Sequence, residues 1–409
     1  MRPGEIRDLG RLAGRATART AVVARDMHRV VAGRTFDALG AMGAPVRVIH
    51  DTISAAAYRG VQSVLTAPAL AAAELASHTG LAGGAPLADS PGGGIALGLL
   101  NGALGDALAR EYRDLALELT VRHRGRPVDT DPEGLAAAFP HPTPRLAVFV
   151  HGLVETEQAW RALPLGRGRV GNPSYGSRLR DHLGYTPVYV RYNTGLHVSD
   201  NGGRLADVLE EVVRGWPVAV DEVALVGHSM GGLVGRSACH YGAARDQEWT
   251  ERVRHVFCLG TPHLGAPLEK AANLAGWSLG RLDLTRPFAD LVNGRSAGIK
   301  DLRFGSCVEE DWCDCDPDEF LHDRCTEVPF LPRAAYYFIG ATLSREPGDP
   351  LGRLVGDLLV RFPSASGRGA RRRIPFELDH GTHLGGLNHF QLLNHPAVYE
   401  QIRSWLTRG

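Results

Sequence analysis

Residues 223–238 read VALVGHSMGGLVGRSA, from Val223 through Gly227, His228, Ser229, Met230, Gly231 and Gly232 to Ala238. An apolar run, Val223–Val226, ends on Gly227, and a run of helical period opens at Gly232. A serine at a sharp strand-to-helix turn needs glycine two residues to either side, because larger side chains would collide there. The helix that follows points its free N–H groups at charge developing beside the serine. The spacing therefore predicts Ser229 as a nucleophile on a strand–turn–helix unit. A packing turn with an idle serine is the bland alternative.

Working outward, apolar runs of strand character recur at Leu146–Val150, Pro187–Tyr192, Val256–Leu259 and Tyr336–Ile339. Stretches of helical period separate several of them, such as Gly203–Val213 and Gly232–Tyr241. Strands of this kind alternating with helices predict an α/β fold, a mostly parallel sheet covered on both faces. The segment Pro140–Pro144 (PHPTP) marks the expected boundary between an N-terminal helical region, 1–140, and the α/β domain, 141–409. In the former, Asp51–Ala76 and Ala107–Val121 carry helical periodicity. Gly94, Gly98 and Gly102 recur every four residues, which suits close approach of another helix, with a membrane-contacting element as the alternative.

A hydroxyl is a poor nucleophile at neutral pH and needs a base, an orienting acid and oxyanion donors. The strand-like LAVFV runs into His151-Gly152-Leu153, a turn that can aim the Leu153 N–H at the same oxygen as the Met230 N–H. His389, after glycines and before the patterned terminal helix, is the preferred base over His380, His383 and His395. Asp357, after a glycine and before an apolar run, is the preferred acid, with Asp349 and then Asp379 as alternatives.

The set FVHGL, GHSMGG, GTPHLGAP, GDLLVRFPSAS and NHFQLLNHPAVY resembles the α/β-hydrolase superfamily. Within it, the set is most similar to bacterial lipase/esterases and to lipase-like enzymes that deacylate glycosylphosphatidylinositol. The resemblance spans Pro144–Gly409. It implies Ser229 as nucleophile, His389 as base, Asp357 as acid, Leu153 and Met230 as the oxyanion hole, and no metal or organic cofactor. It also implies a cap grown from the insertion 268–333, where WSLGRLDL, PFADLV and FLP supply apolar surface. The expected reaction is hydrolysis of a carboxylic ester with a lipid-like or other hydrophobic acyl group. Acyl transfer or thioester cleavage on the same fold, and a membrane- or partner-docking protein with a vestigial hydrolase domain, stay open.

Charge sets further bounds. The 409 residues hold 45 Lys+Arg against 45 Asp+Glu, so no basic field favours nucleic acid. No long uncharged apolar run and no secretory pattern is evident, so the expected location is cytoplasmic, with peripheral membrane contact possible in principle. Cys307, Cys313, Cys315 and Cys325 lie among aspartates without paired zinc spacing, and are read as free thiols before disulfides or metal ligands. The letters Gly166–Gly171 (GRGRVG) match a dinucleotide fingerprint but lack a preceding strand and a helix start. Arg371–Arg373 reads as a solvated turn, with anchoring of an anionic head group as the alternative.

Overall fold

The computed structural model describes residues 1–39, 44–79, 83–161, 173–280, 293–319, 323–345, 356–369 and 372–408. Three helices come first: α1 (Pro3–Leu39), α2 (Ala44–Ser77) and α3 (Pro91–Glu111). Strands β1 (Thr120–His123) and β2 (Arg126–Val128) and helix α4 (Pro132–Ala138) follow. Next come β3 (Arg145–Val150), α5 (Tyr175–Leu183), β4 (Tyr185–Arg191), α6 (Val198–Gly215), β5 (Glu222–His228), α7 (Met230–Ala244) and β6 (Val253–Leu259). The remainder is α8 (Pro267–Gly280), α9 (Ala297–Asp301), β7 (Ala335–Thr342), α10 (Phe362–Ala365), β8 (Gly381–Gly385) and α11 (Pro396–Leu406). The eight strands form one sheet in the order β2-β1-β4-β3-β5-β6-β7-β8. Pairing is parallel from β4 to β8, and β1 runs antiparallel to both of its neighbours.

Alternation along each strand sorts the core into two layers. Leu146, Val148, Val150, Val188, Val190 and Leu225 face one side, where α6 and α7 bring Leu205, Leu209, Val212, Leu233 and Val234. Ala147, Phe149, Tyr189, Val226, Phe257 and Ile339 face the other, packed by Tyr175 and Leu179 of α5 and by Val398, Tyr399, Ile402 and Trp405 of α11. A sheet buried on both faces explains why the central strands read as continuous apolar runs. Local signals place the helices: Ser174 caps α5 by accepting from the Ser177 N–H, and Gly184 at φ 71° ends it.

Three expectations need correction. The helix expected over Ala107–Val121 ends at Glu111, where Tyr112 leaves helical geometry (φ −137°, ψ 58°), and Val121 lies in β1. The sheet also starts ahead of residue 141, because β1 and β2 precede Pro140. These strands, β2 at the edge and β1 beside it, have three and four residues and carry arginines, so no apolar run betrays them. At Gly98 and Gly102 the glycine stripe of α3 faces a turn and not another helix. A Cβ on Gly98 would lie 3.1 Å from the carbonyl oxygens of Val154 and Glu155, and one on Gly102 would lie 2.4 Å from Val154 Cγ1. The stripe is thus pressed against the turn that follows β3. No described helix is long and apolar enough to cross a membrane.

Candidate active site

The C-terminal ends of the parallel strands collect the loops, the usual position for a site on an open α/β sheet. β5 ends in His228, and Ser229 stands at the start of α7 with φ 53° and ψ −123°. A non-glycine residue at such a φ costs on the order of 1–3 kcal/mol and persists only where its surroundings hold it. Ser229 N–H donates to the Leu259 carbonyl (2.8 Å), and its own carbonyl accepts from the Gly232 N–H (3.1 Å). The flanking glycines are sterically required. A Cβ on Gly227 would lie 2.5 Å from Gly232 N, and one on Gly231 would lie 2.2 Å from the Val150 carbonyl oxygen. One on Gly232 would lie 2.0 Å from Thr261 Oγ1. Helix and strand thus approach too closely for any side chain at these points.

His389 follows Gly386, which sits at φ 77°, and begins a short turn capped by Asn388 and Gln391. Its backbone N–H donates to the Asp357 carbonyl (3.0 Å), and its Nδ1 lies 2.8 Å from Asp357 Oδ2. Asp357 Oδ1 accepts from the N–H groups of Leu359 (3.1 Å) and Val360 (2.8 Å). Both side chains are buried, and His389 Nε2 has no hydrogen-bond partner among the described residues. Ser229, His389, Leu153 and Val154 line one cavity of about 450 Å³, with Pro262, Ala266, Ala272, Ile299, Leu302, Leu359, Val360 and Phe390 making its wall apolar. The N–H groups of Leu153 and Met230 bond to no acceptor among the described residues. Glu269 and Arg295 also reach this wall, Glu269 held at 2.9 Å from Arg295 and 3.2 Å from Arg303.

The other candidates lie apart from this cavity. His383 on β8 bonds to Thr342 Oγ1 (2.7 Å), His395 caps α11, and His380 lies 3.6 Å from Glu377. The Asp379 carbonyl accepts from the Trp405 Nε1–H. Asp349 and the Gly166–Gly171 pattern lie outside the described residues, as do PFADLV and the later part of WSLGRLDL. All six cysteines are free thiols, so the disulfide alternative for Cys307, Cys313, Cys315 and Cys325 is set aside. Among the described residues, the only group with three potential metal ligands in reach of one another is Glu377, Asp379 and His380, with both carboxylates exposed.

One pair went unread in the sequence. His228 is fully buried, with Nδ1 3.1 Å from Glu155 Oε2 and Nε2 3.1 Å from the carbonyl oxygen of His389. The same Glu155 oxygen accepts from the Gly152 N–H at 2.7 Å. Burial pulls the His228 pKa down, but the charge and hydrogen bond of Glu155 outweigh it and the net shift is upward. Glu155 moves down: burial opposes the shift, and the charge and hydrogen bond of His228 override it. The neighbouring His151 shows the contrast. Burial lowers its pKa, its Nδ1 sits against the Gly152 carbonyl, and its Nε2 accepts from the Tyr192 N–H, as in a neutral ring. The only hint of Glu155 was its place three residues beyond Gly152. Its partner stands 73 residues away.

Residues 174–276, from the start of α5 into α8, match the PGAP1-like alpha/beta domain. No curated protein matches the sequence. Among solved structures, the mature form of the Bacillus licheniformis lipase BlEst2 is similar at 20% identity and a TM-score of 0.43, over 70% of this chain and 97% of that one. EstA from Clostridium botulinum is similar at 14% identity and a TM-score of 0.38, over 66% and 88%. The phospholipase PlaB from Legionella pneumophila is similar at 15% and 0.34, over 60% and 53%. Identity and superposition are both low. The strand order, the tight serine turn and the family match over α5–α8 together give this chain an α/β-hydrolase fold, with residues 174–276 similar to the PGAP1-like alpha/beta domain.

Proposed function

We propose that the chain is a serine hydrolase of carboxylic esters with an apolar acyl group. The observation that carries this reading is His389: its Nδ1 is held by Asp357, and its unpartnered Nε2 belongs to a ring that shares an apolar cavity with Ser229. In this reading Asp357 fixes the tautomer with hydrogen on Nδ1, leaving Nε2 basic. Ser229 Oγ passes its proton to Nε2 and attacks the ester carbonyl. The negative oxygen is received by the N–H groups of Leu153 and Met230, one such donor being worth about 3 kcal/mol. His389 then protonates the departing alcohol, and water repeats the sequence to release the acid.

The substrate class follows from the cavity wall, which beside Ser229 and His389 is apolar except at Glu155, Glu269 and Arg295. Residues 268–333 act as a cap, supplying Ala272, Ile299 and Leu302 to that wall. Exposed Leu358 and Phe390 adjoin Asp357 and His389 in sequence, and they are the apolar side chains through which peripheral contact with a lipid surface would be made.

The test is Ser229→Ala assayed on p-nitrophenyl esters of short and long acyl chains, with added alcohol to reveal acyl transfer. Turnover should fall on the order of 10⁴-fold or more. Unchanged turnover would end this assignment, and ester formation in place of free acid would make the chain a transferase.

A further inference from the structure

The two ring nitrogens of His228 both face acceptors. Nδ1 meets a carboxylate oxygen of Glu155, and Nε2 meets the backbone carbonyl of His389. A neutral imidazole carries one N–H and would leave one of these contacts as acceptor against acceptor, inside a fully buried site. With Glu155 ionised, as its downward shift favours, only a ring protonated at both nitrogens satisfies both.

The partners matter for the reaction proposed above, on which this inference rests. Glu155 accepts from the Gly152 N–H, and its own N–H donates to the Gly152 carbonyl (3.2 Å), so it closes the turn that carries Leu153. The carbonyl bound by Nε2 belongs to His389 itself. His228 immediately precedes Ser229. One side chain thus joins the oxyanion turn, the nucleophile's strand and the backbone of the base.

We infer that His228 is a positioning residue working as an imidazolium, its Nδ1–H fixing the oxyanion turn through Glu155 and its Nε2–H fixing His389. Loss of that proton turns one clamp into a repulsion and sets an alkaline limit to turnover. The charged and titratable groups around the ring are Glu155 from the turn after β3, Asp357 from the loop after β7, and His389, whose ring centroid lies 4.7 Å away. The Trp160 ring covers another side. Glu155 is the group whose removal separates this arrangement from simple packing, because glutamine keeps its shape and its acceptor for Gly152 but not its charge.

Two measurements on the full chain decide. Histidine ring nitrogens are read by long-range ¹⁵N–¹H NMR, with His228 assigned from the spectrum of His228→Gln. At pH 7 both of its nitrogens should appear protonated, and an unprotonated nitrogen would overturn the inference. This reading needs no activity, so it stands or falls apart from the Ser229 test. In kinetics, Glu155→Gln should lower kcat about 10- to 100-fold with KM little changed, as expected for small misplacement of reacting groups. The alkaline limb of kcat should move down by about one pH unit or more, the lower end of what loss of an adjacent opposite charge does. A folded Glu155→Gln variant with its alkaline limb unmoved also overturns it. Should that variant fail to fold, the NMR result on the unaltered chain decides alone.

Discussion

Asp357→Asn is the perturbation whose outcome can be worked most fully from the hydrogen bonds. Asp357 Oδ1 accepts from two backbone N–H groups, those of Leu359 and Val360, while Oδ2 faces His389 Nδ1 at 2.8 Å. Asparagine offers one oxygen and one NH₂. Turning the NH₂ toward Leu359 and Val360 would set donors against two buried donors, at about 1–3 kcal/mol for each left unsatisfied. The oxygen therefore stays with the backbone, and the NH₂ points at His389. Nδ1 must then accept, so the ring hydrogen moves to Nε2, the atom that should take the proton from Ser229. The expected loss is about 10⁴-fold in kcat, equivalent to about 5.5 kcal/mol in the barrier, with KM nearly unchanged. Exchanging a charged acceptor for a neutral one costs about 1–2 kcal/mol of stability, so the variant should fold. Steady-state hydrolysis of a p-nitrophenyl ester, with circular dichroism as the folding control, measures both. A folded variant retaining more than a tenth of parental kcat would refute the reasoning.

Gly231→Ala should both destabilise the chain and abolish turnover, since its Cβ would sit 2.2 Å from the Val150 carbonyl and 2.6 Å from that of His151; thermal unfolding and ester hydrolysis check this. Ile299→Trp, which fills the apolar cavity, should depress hydrolysis of long-chain esters far more than of the acetate, and an equal loss on both would place the acyl chain elsewhere. The Glu155–His228 pair also predicts a pH dependence of stability. The His228 contribution is complete below its ordinary value of 6.5 and is lost as pH rises through the higher folded value; that of Glu155 is complete above 4.5 and is lost as pH falls through the lower folded value. The difference in Tm between the unaltered chain and Glu155→Gln should therefore be greatest between pH 4.5 and 6.5 and shrink on either side. A difference that does not vary with pH would mean the pair is not charged in the fold.

What the sequence disclosed, and what it withheld, follows from the range of the forces involved. β3, β5, β6 and β7 are buried on both faces, and burial demands apolar runs that are visible without partners. β8, Gly381–Gly385, escaped notice because it is a half-buried edge strand with a histidine at its centre. The Ser229 turn is legible because the glycines it requires fall within five residues, from Gly227 to Gly231, even though the backbone that excludes a side chain at Gly231 is that of Val150 and His151. Glu155 and His228 are joined only by the parallel pairing of β3 with β5, which no local pattern announces. The same holds for the buried Glu157–Arg191 pair, with two contacts of 2.6 Å between residues on different elements. Preference for Asp357 over Asp349 rested on a glycine and a short apolar run. In the structure it is the backbone of Leu359 and Val360 that orients the Asp357 carboxylate.

Helix α3 lies directly behind the bend that carries Leu153, with Gly98 and Gly102 against Val154 and Glu155, and Val154 itself sits at φ 61°. Ser296 Oγ donates to the Gly102 carbonyl, so the far wall of the cavity beside Ser229 leans on the same helix. Trimming the polypeptide to its sheet and crossing helices would therefore not yield a leaner catalyst. It would unbrace an energetically awkward backbone bend at the point where a transition-state charge has to be met, and the deficit would show in turnover before it showed in folding.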